Sequence, residues 1–205
     1  MKFPGFFTKP QQQVLERIHG KDQLERQSGS TDPLRLKALR PAVAQFVCAL
    51  ALGRRARRIA EFGTSAGYST LHLAAAAARA GGTVHSLDRA AEKTAWAQKN
   101  LEEAGLAPHA ELFTGNCADF VEALPEGLDF VLLDFGAGPL LPHLAALKAK
   151  MGAGAFFFAD GGPEDMWRTH EDYIALRESF EADPAFLCLP LYLEKHQLLV
   201  TKTPA

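Results

Sequence analysis

The chain has 205 residues, 47% of them apolar and 22% charged, with a formal net charge of -2. That length accommodates one domain with a sizeable core, and the composition is that of an ordinary globule, not a disordered or fibrous chain. The near-neutral balance gives no electrostatic basis for binding nucleic acid or an anionic membrane.

Cys48, Cys117 and Cys188 are too few and too widely spaced for a zinc site or a disulfide framework, which points to a reducing compartment. The opening "MKFPGFFTKP" lacks the long apolar stretch of a secretory leader. No run reaches the ~18 apolar residues of a membrane span, since Gln45 interrupts "AVAQFVCALAL". The expectation is a cytoplasmic protein with no nucleic-acid or membrane partner.

In chain order, "QQQVLERIHGKDQLERQ" (11–27) reads as a charged helix and "SGSTDP" as a loop. Asp32 before Pro33 has the form of an N-cap followed by proline at the first helical position. A helix is therefore expected through "LRLKALRPAVAQFVCALAL", kinked or restarted near Pro41. Five strand candidates follow: "RRIAEF", "GTVHSLD", "HAELFTG", "LDFVLLDF" and "AGAFFFAD". Helical stretches separate them: "STLHLAAAAARA", "AAEKTAWAQKNLEEAGL", "CADFVEAL" and "LLPHLAALKAKMG", with Gly105 and Gly152 where C-caps belong. "MWRTHEDYIALRESFEAD" reads as a last helix, and "AFLCLPLYL" and "HQLLVTK" as a hairpin turning at "EK".

Strands alternating with helices of this length predict a parallel sheet with right-handed crossovers, and "FVLLDF" and "AFFFAD" are apolar enough to be buried on both faces. The expected fold is a Rossmann-like, doubly wound α/β sheet of seven strands, mostly parallel with a C-terminal antiparallel hairpin. One domain spans 1–205, with an N-terminal helical segment (1–56) and a cofactor-binding sheet core (57–205).

The functional signal is "IAEFGTSAGYST" (59–70). In doubly wound sheets ligands bind at the carboxyl ends of the strands. Gly63 and Gly67 allow a sharp turn there and close approach of a ligand, and the following helix offers free N–H groups to an anionic moiety. Asp88, about twenty residues beyond Gly67, stands where a carboxylate grips ribose hydroxyls. The E-x-G-x-x-x-G spacing lacks the middle glycine of a dinucleotide turn, and there is no P-loop lysine. A carboxylate at Glu61 suits a cofactor with positive charge, such as the sulfonium and ammonium of S-adenosylmethionine. The alternative is a tight βα turn with no ligand role.

"RRIAEFGTSAGYSTLHLA" resembles the first cofactor motif of the class I S-adenosylmethionine-dependent methyltransferases, particularly the catechol and caffeoyl-CoA O-methyltransferase group, with its Gly-Tyr-Ser at Gly67-Tyr68-Ser69. The likeness continues through "VHSLDRAAEKTAWAQKNLEEAGL", "LFTGNCADFVEALP", "LDFVLLDFG" and "MGAGAFFFAD". It implies that Glu61, Gly63 and Gly67 form the cofactor turn, lined by Thr64 and Ser65, and that Ser69 bonds the methionine carboxylate. Asp88 would hold the ribose, with Asn116 and Cys117 beside the adenine. Thr64 could equally serve the turn itself, and Cys117 could start a helix without touching ligand.

The same resemblance implies a divalent metal held by an Asp after the fourth strand and an Asp-Asn pair after the fifth. Asp134, which also carries the catalytic expectation, and Asp160 match. Gly161 replaces the Asn, and Ala137 stands where many members carry a basic lysine. Two carboxylates and water imply a weak Mg²⁺ site, which Gly161→Asn would tighten and Ala137→Lys would supply with a base. Alternatively, Asp134 and Asp160 are strand-end carboxylates that bond loop N–H groups. His143, His170 and His196 lie near loops without earning a catalytic role, and Glu164 and Asp165 are pocket rim or solvated loop. The resulting expectation is methyl transfer to a small-molecule acceptor, at oxygen, by a protein whose resemblance implies a homodimer. The rivals are a non-catalytic S-adenosylmethionine-binding protein and a nicotinamide-dependent reductase.

Overall fold

The computed structural model describes residues 5–161, 166–193 and 196–204. Its sheet has seven strands in the order β3-β2-β1-β4-β5-β7-β6. These are β1 (Arg58–Phe62), β2 (Thr83–Asp88), β3 (Ala110–Thr114), β4 (Leu128–Leu133), β5 (Met151–Asp160), β6 (Phe186–Tyr192) and β7 (His196–Lys202). The first five pair in parallel; β7 runs antiparallel to β5, and β6 antiparallel to β7. This is the architecture expected from the sequence. The "EK" turn of the hairpin, Glu194 and Lys195, lies outside the described residues.

Strand alternation builds two cores. Ile59, Phe130 and Leu132 face one side, where α1 (Lys9–Gln27), α2 (Pro41–Arg54), α3 (Tyr68–Ala80) and α4 (Ala91–Glu103) pack. Phe62, Val131 and Leu133 face the other, against α5 (Cys117–Ala123), α6 (Leu144–Lys150) and α8 (Glu171–Glu181). Helix α3 is buried from Tyr68 to Ala77, because it lies beneath α1 and α2 as well as on the sheet. Its alanine run lets α2 approach closely, and the Cys48 thiol donates to the His72 carbonyl across that contact at 3.3 Å.

Three expectations change. Residues 33–40 are not helical: Asp32 caps a turn, accepting from the Leu34 N–H at 2.8 Å, and α2 starts only at Pro41. The residue before a proline avoids helical backbone, and Arg40 is extended at ψ 145°. Gly105 (φ +66°) does end α4, but Gly152 lies inside β5, where the register with β4 shifts between Leu128 and Phe130. The last helix is two pieces, α7 (Met166–Thr169) and α8, broken at His170.

The non-helical segment 33–40, which opens in a turn and passes through a left-handed Lys37, forms a strap held by side chains of α1. Asp22, buried, accepts from the Ala38 N–H at 2.9 Å and from Arg26 at 2.6 Å, while Arg26 also donates to the Ala38 carbonyl. Glu25 accepts from the Leu36 N–H at 2.7 Å, and Leu36, Ala38 and Leu39 are buried. Asp22→Ala leaves the Ala38 N–H without its acceptor and is expected to cost about 1–3 kcal/mol in urea denaturation. Arg26→Ala, at a side chain 43% exposed, is expected to cost less.

Candidate active site

The chain order reverses between β1 and β4, and the glycine turn sits at the carboxyl end of β1. The N–H groups of Gly63 and Thr64 both donate to the Leu87 carbonyl, and Gly67 closes the turn on the Thr64 carbonyl at 2.8 Å. Gly63 has φ +117°, and a Cβ there would stand 2.8 Å from the Asp134 carbonyl oxygen. Gly67 has φ +84°, but a Cβ on it would meet Ala97 of α4 at 3.2 Å. Its lack of a side chain therefore serves the packing of α3 on α4.

Glu61 is fully buried beneath this turn. One carboxylate oxygen, Oε2, accepts from Thr70 Oγ1 and Ser86 Oγ, each at 2.5 Å, and Ser86 Oγ is 2.7 Å from Thr64 Oγ1. Among the described residues the other oxygen, Oε1, accepts no hydrogen bond of good geometry, although the Ser69 hydroxyl lies near enough to act on the carboxylate. Burial pushes the Glu61 carboxyl up to about 7; the hydroxyls of Ser69, Ser86 and Thr70 pull the other way, and the Asp88 charge adds to the rise. A buried carboxylate with one unmet oxygen is costly unless a cation or donor reaches it.

Asp88 ends β2 half-buried, accepting from the Ser65 N–H at 2.9 Å and the Ala90 N–H at 3.0 Å. Each oxygen keeps capacity for another donor. Ser65, at φ +47°, turns its hydroxyl to the Leu36 carbonyl and so ties the turn to the strap. Ser69 is buried in the first turn of α3, beside Glu61. Thr64 is buried in the polar chain below the turn. Asn116 caps α5, its side chain accepting from the Asp119 N–H at 3.0 Å and donating to the Asp119 carboxylate at 2.9 Å. Cys117 is buried in the second core, its thiol held up by burial. Glu61, Gly63, Thr64, Ser65, Gly67, Ser69 and Asp88 thus gather at one strand-end crevice, while Asn116 and Cys117 start the helix after β3.

The end of β4 joins this crevice directly, because the Asp134 N–H donates to the Phe62 carbonyl at 2.8 Å. Asp160 ends β5 and accepts from Gln197 Nε2 at 2.8 Å. Tyr173 of α8 lies among carboxylates: burial raises its phenol, and Asp160, Asp134 and Asp172 add to the rise, so it remains a proton donor.

The residues here do not fit the metal that the resemblance implied. A Cβ at Gly161 would overlap the Trp167 indole nitrogen and stand 2.6 Å from the His196 carbonyl, to which that indole donates at 3.1 Å. The third ligand place is therefore filled by an aromatic ring, and Ala137 is buried in the second core, where a lysine stem would have to displace packing. Among the described residues, no group of three His, Cys, Asp or Glu side chains could hold a metal ion. A side chain introduced by Gly161→Asn would have to displace the Trp167 indole before it could reach a metal.

His170 is the N-cap residue of α8, and His143 ends a 3-10 turn and is the N-cap residue of α6; neither side chain makes a capping hydrogen bond. Glu164 and Asp165 lie outside the described residues. Thr70 and Ser86 escaped the sequence reading, although Ser86 is a polar residue at an inward position of an apolar strand, a signal that a buried polar partner exists.

Among known proteins, the profile of a family described as "Methyltransferase domain" matches residues 60–161. A catechol O-methyltransferase from Niastella koreensis is 36% identical over 99 residues, 48% of this chain and 41% of that protein. A catechol O-methyltransferase from Mycobacterium tuberculosis is 36% identical over 91 residues, 44% of this chain and 41% of that protein. The matched stretch thus spans about two fifths of the length of these curated relatives. An O-methyltransferase from Bacillus cereus in complex with SAH superposes with a TM-score of 0.77 at 20% identity, over 93% of this chain and 91% of that one. An O-methyltransferase from Streptomyces achromogenes in complex with SAM gives 0.76 at 20% identity, over 93% and 90%. These structural likenesses establish the fold.

Two substitutions check the geometry. Gly63→Ala strains a positive φ and strikes the Asp134 carbonyl, with an expected loss of about 1–3 kcal/mol in thermal denaturation. Gly161→Asn is expected to destabilise by about 1–3 kcal/mol through overpacking against Trp167, with no Mg²⁺ heat gained in calorimetric titration.

Proposed function

We infer that this chain, whose residues 60–161 belong to the methyltransferase domain family and whose sheet has the class I order, binds S-adenosylmethionine and passes its methyl group to an oxygen of a small molecule. The observation that carries the reading is Glu61 Oε1, a buried carboxylate oxygen that accepts no hydrogen bond among the described residues, directly under the glycine turn. An ammonium near this oxygen satisfies it, and Asp88 alongside has capacity for ribose hydroxyls. Gly63, Thr64, Ser65, Gly67 and Ser69 shape the turn around the methionine end, and Asn116 and Cys117 border the adenine end. A nicotinamide-dependent reductase is not favoured, because the turn lacks the glycine that admits a pyrophosphate.

When bound, S-adenosylmethionine supplies a methyl group activated by its sulfonium charge. The chain's contribution is to hold and orient the acceptor hydroxyl in line with it, which accounts for a large share of the barrier lowering in such transfers. Asp134, whose backbone is fixed to β1 beside Gly63, is the residue assigned to accept the acceptor's proton. The Tyr173 phenol is held protonated by burial and by the charges of the same carboxylates, and the Trp167 ring packed on it at 4.9 Å offers an aromatic wall. A hydroxylated aromatic acceptor, of the kind named by the catechol O-methyltransferase relatives, suits such a wall.

A homodimer belongs to the same reading: edge strand β6 exposes Leu187 and Leu189 on one face and Tyr192 on the other, an apolar edge that a second copy would cover. The three cysteines are free, as a reducing cytoplasm would keep them, and no helix among the described residues is long and apolar enough to cross a membrane.

Calorimetry with S-adenosylhomocysteine tests the reading. Asp88→Ala is expected to weaken binding by about 1–3 kcal/mol, with NAD(H) giving no heat; undiminished affinity in that variant would refute the assignment. The pH dependence follows from Glu61. Its folded value, about 7, lies above the ordinary 4.5, so its stabilisation of the free protein is full below about pH 4.5 and is lost as pH rises through about 7. Ligand affinity runs the opposite way, because the ammonium pairs with the carboxylate form. S-adenosylhomocysteine should bind more weakly as pH falls below about 7, releasing close to one proton at ~pH 6, read as a buffer-dependent enthalpy. Glu61→Gln should flatten both trends.

A further inference from the structure

The glycine turn is held from outside at two adjacent residues, Ser65 and Ala66, and both holds lead to α1. Ser65 sits at φ +47°, a left-handed backbone that a residue other than glycine keeps only where its surroundings impose it. Its hydroxyl donates to the Leu36 carbonyl, and the Leu36 N–H donates to the Glu25 carboxylate at 2.7 Å. The Ser65 N–H also donates to Asp88 Oδ2 at 2.9 Å, so one residue links the strap to that carboxylate. At Ala66 the carbonyl accepts from Asn100 Nδ2 of α4 at 2.9 Å, in a buried contact. Asn100 Oδ1 accepts in turn from Arg17 of α1 at 2.9 Å, and Arg17 forms a two-pronged pair with Glu103, 2.7 Å on each prong. A flipped Asn100 amide would set oxygen against oxygen and nitrogen against guanidinium, so only this orientation satisfies both neighbours. The Arg17 and Glu103 side chains are 52% and 44% exposed, so their pair adds little to global stability. What it fixes is Asn100. Two hydrogen-bond chains thus run from the N-terminal helix to the turn, one by way of the strap and one by way of α4.

Resting on the S-adenosylmethionine reading above, we propose that α1 sets the affinity of the strand-end crevice for its cofactor, with Glu25 and Asn100 as positioning residues that act on Ser65 and Ala66. Glu25 holds Leu36, Leu36 holds the Ser65 hydroxyl, and Ser65 in its left-handed backbone keeps its N–H on Asp88, the carboxylate assigned to the ribose. Asn100 holds the peptide that leads into Gly67 and the start of α3. Without these bonds the turn must be ordered when the ligand arrives, and that cost lowers the affinity.

Calorimetric titration of the full chain with S-adenosylhomocysteine tests this, on variants first shown to be folded by circular dichroism. Glu25→Ala should weaken the ligand roughly three- to tenfold, the effect of one lost hydrogen bond. Glu25→Gln, whose amide oxygen still accepts from the Leu36 N–H, should restore most of that affinity. Both variants lose the Lys21–Glu25 ion pair, so the difference between them isolates the bond to the strap. Ser65→Ala should cost a similar factor, and combining it with Glu25→Ala should cost no more than the larger single loss, because the two changes cut one chain. Asn100→Ala, on the other chain, should weaken binding and multiply with Ser65→Ala. Should that buried change prevent folding, Arg17→Ala interrupts the same chain from its exposed end and should weaken the ligand roughly two- to fivefold. Unchanged affinity in folded Glu25→Ala, or equal losses in Glu25→Ala and Glu25→Gln, overturns the proposal. Fully multiplicative losses in the Ser65–Glu25 pair, or unchanged affinity at both Asn100 and Arg17, also overturn it. Those outcomes leave the cofactor reading standing; failure of S-adenosylhomocysteine to bind the unaltered chain overturns both together.

Discussion

The site is organised around a carboxylate that the fold has put out of reach of water. Glu61 occupies an inward position on a central strand, where its neighbours Ile59 and Phe130 are fully buried. Two hydroxyls satisfy one oxygen, Thr70 from α3 and Ser86 from β2, so the carboxylate binds together three elements that meet at the turn. The other oxygen is left unmet. A sequence that needed only a stable sheet would do better with an apolar residue there, since replacing a buried charge by good packing is often neutral or stabilising. The cost is accepted here, at the strand ends of a doubly wound sheet, where ligands bind.

Other parts of the chain hold the groups around it. Gly63 brings the turn against Asp134, so that the end of β4 and the start of the turn share one backbone contact. Asp88 fixes the Ser65 N–H, and Ser65 in turn reaches the strap at Leu36, itself clipped to α1 by Asp22, Glu25 and Arg26. The N-terminal helices are thereby mechanically connected to the turn. The opposite end of the crevice has been rebuilt around Trp167, whose indole occupies the space a side chain at position 161 would need. A change at Gly161 alone cannot be read apart from that ring.

Much of this was legible in the sequence because the relevant signals are local. Continuous apolar runs such as "FVLLDF" mark strands buried on both sides, and the glycine turn carries its own spacing. What escaped is set by partners far along the chain. Residues 33–40 carry a good N-cap and a proline, but their N–H groups are taken by Asp22 and Glu25, sixteen and eleven residues away, and the helix starts only at Pro41. Gly152 has the look of a helix stop, yet Met151 already pairs with Leu128 and the glycine falls within the strand. Trp167 at Gly161 is a steric contact between α7 and the residue that follows β5, with no periodic pattern to reveal it.

The central claim is that Glu61 keeps an oxygen open for the ammonium of an S-adenosylmethionine-type ligand. A crystal structure of the complex with S-adenosylhomocysteine measures this most directly. The account predicts the ligand in the crevice above Gly63 and Gly67, its amino nitrogen linked to Glu61 Oε1 at ~3 Å or through one water, and its ribose on Asp88. A bound ligand whose amino group is held elsewhere, with Glu61 Oε1 still lacking a partner, would contradict it.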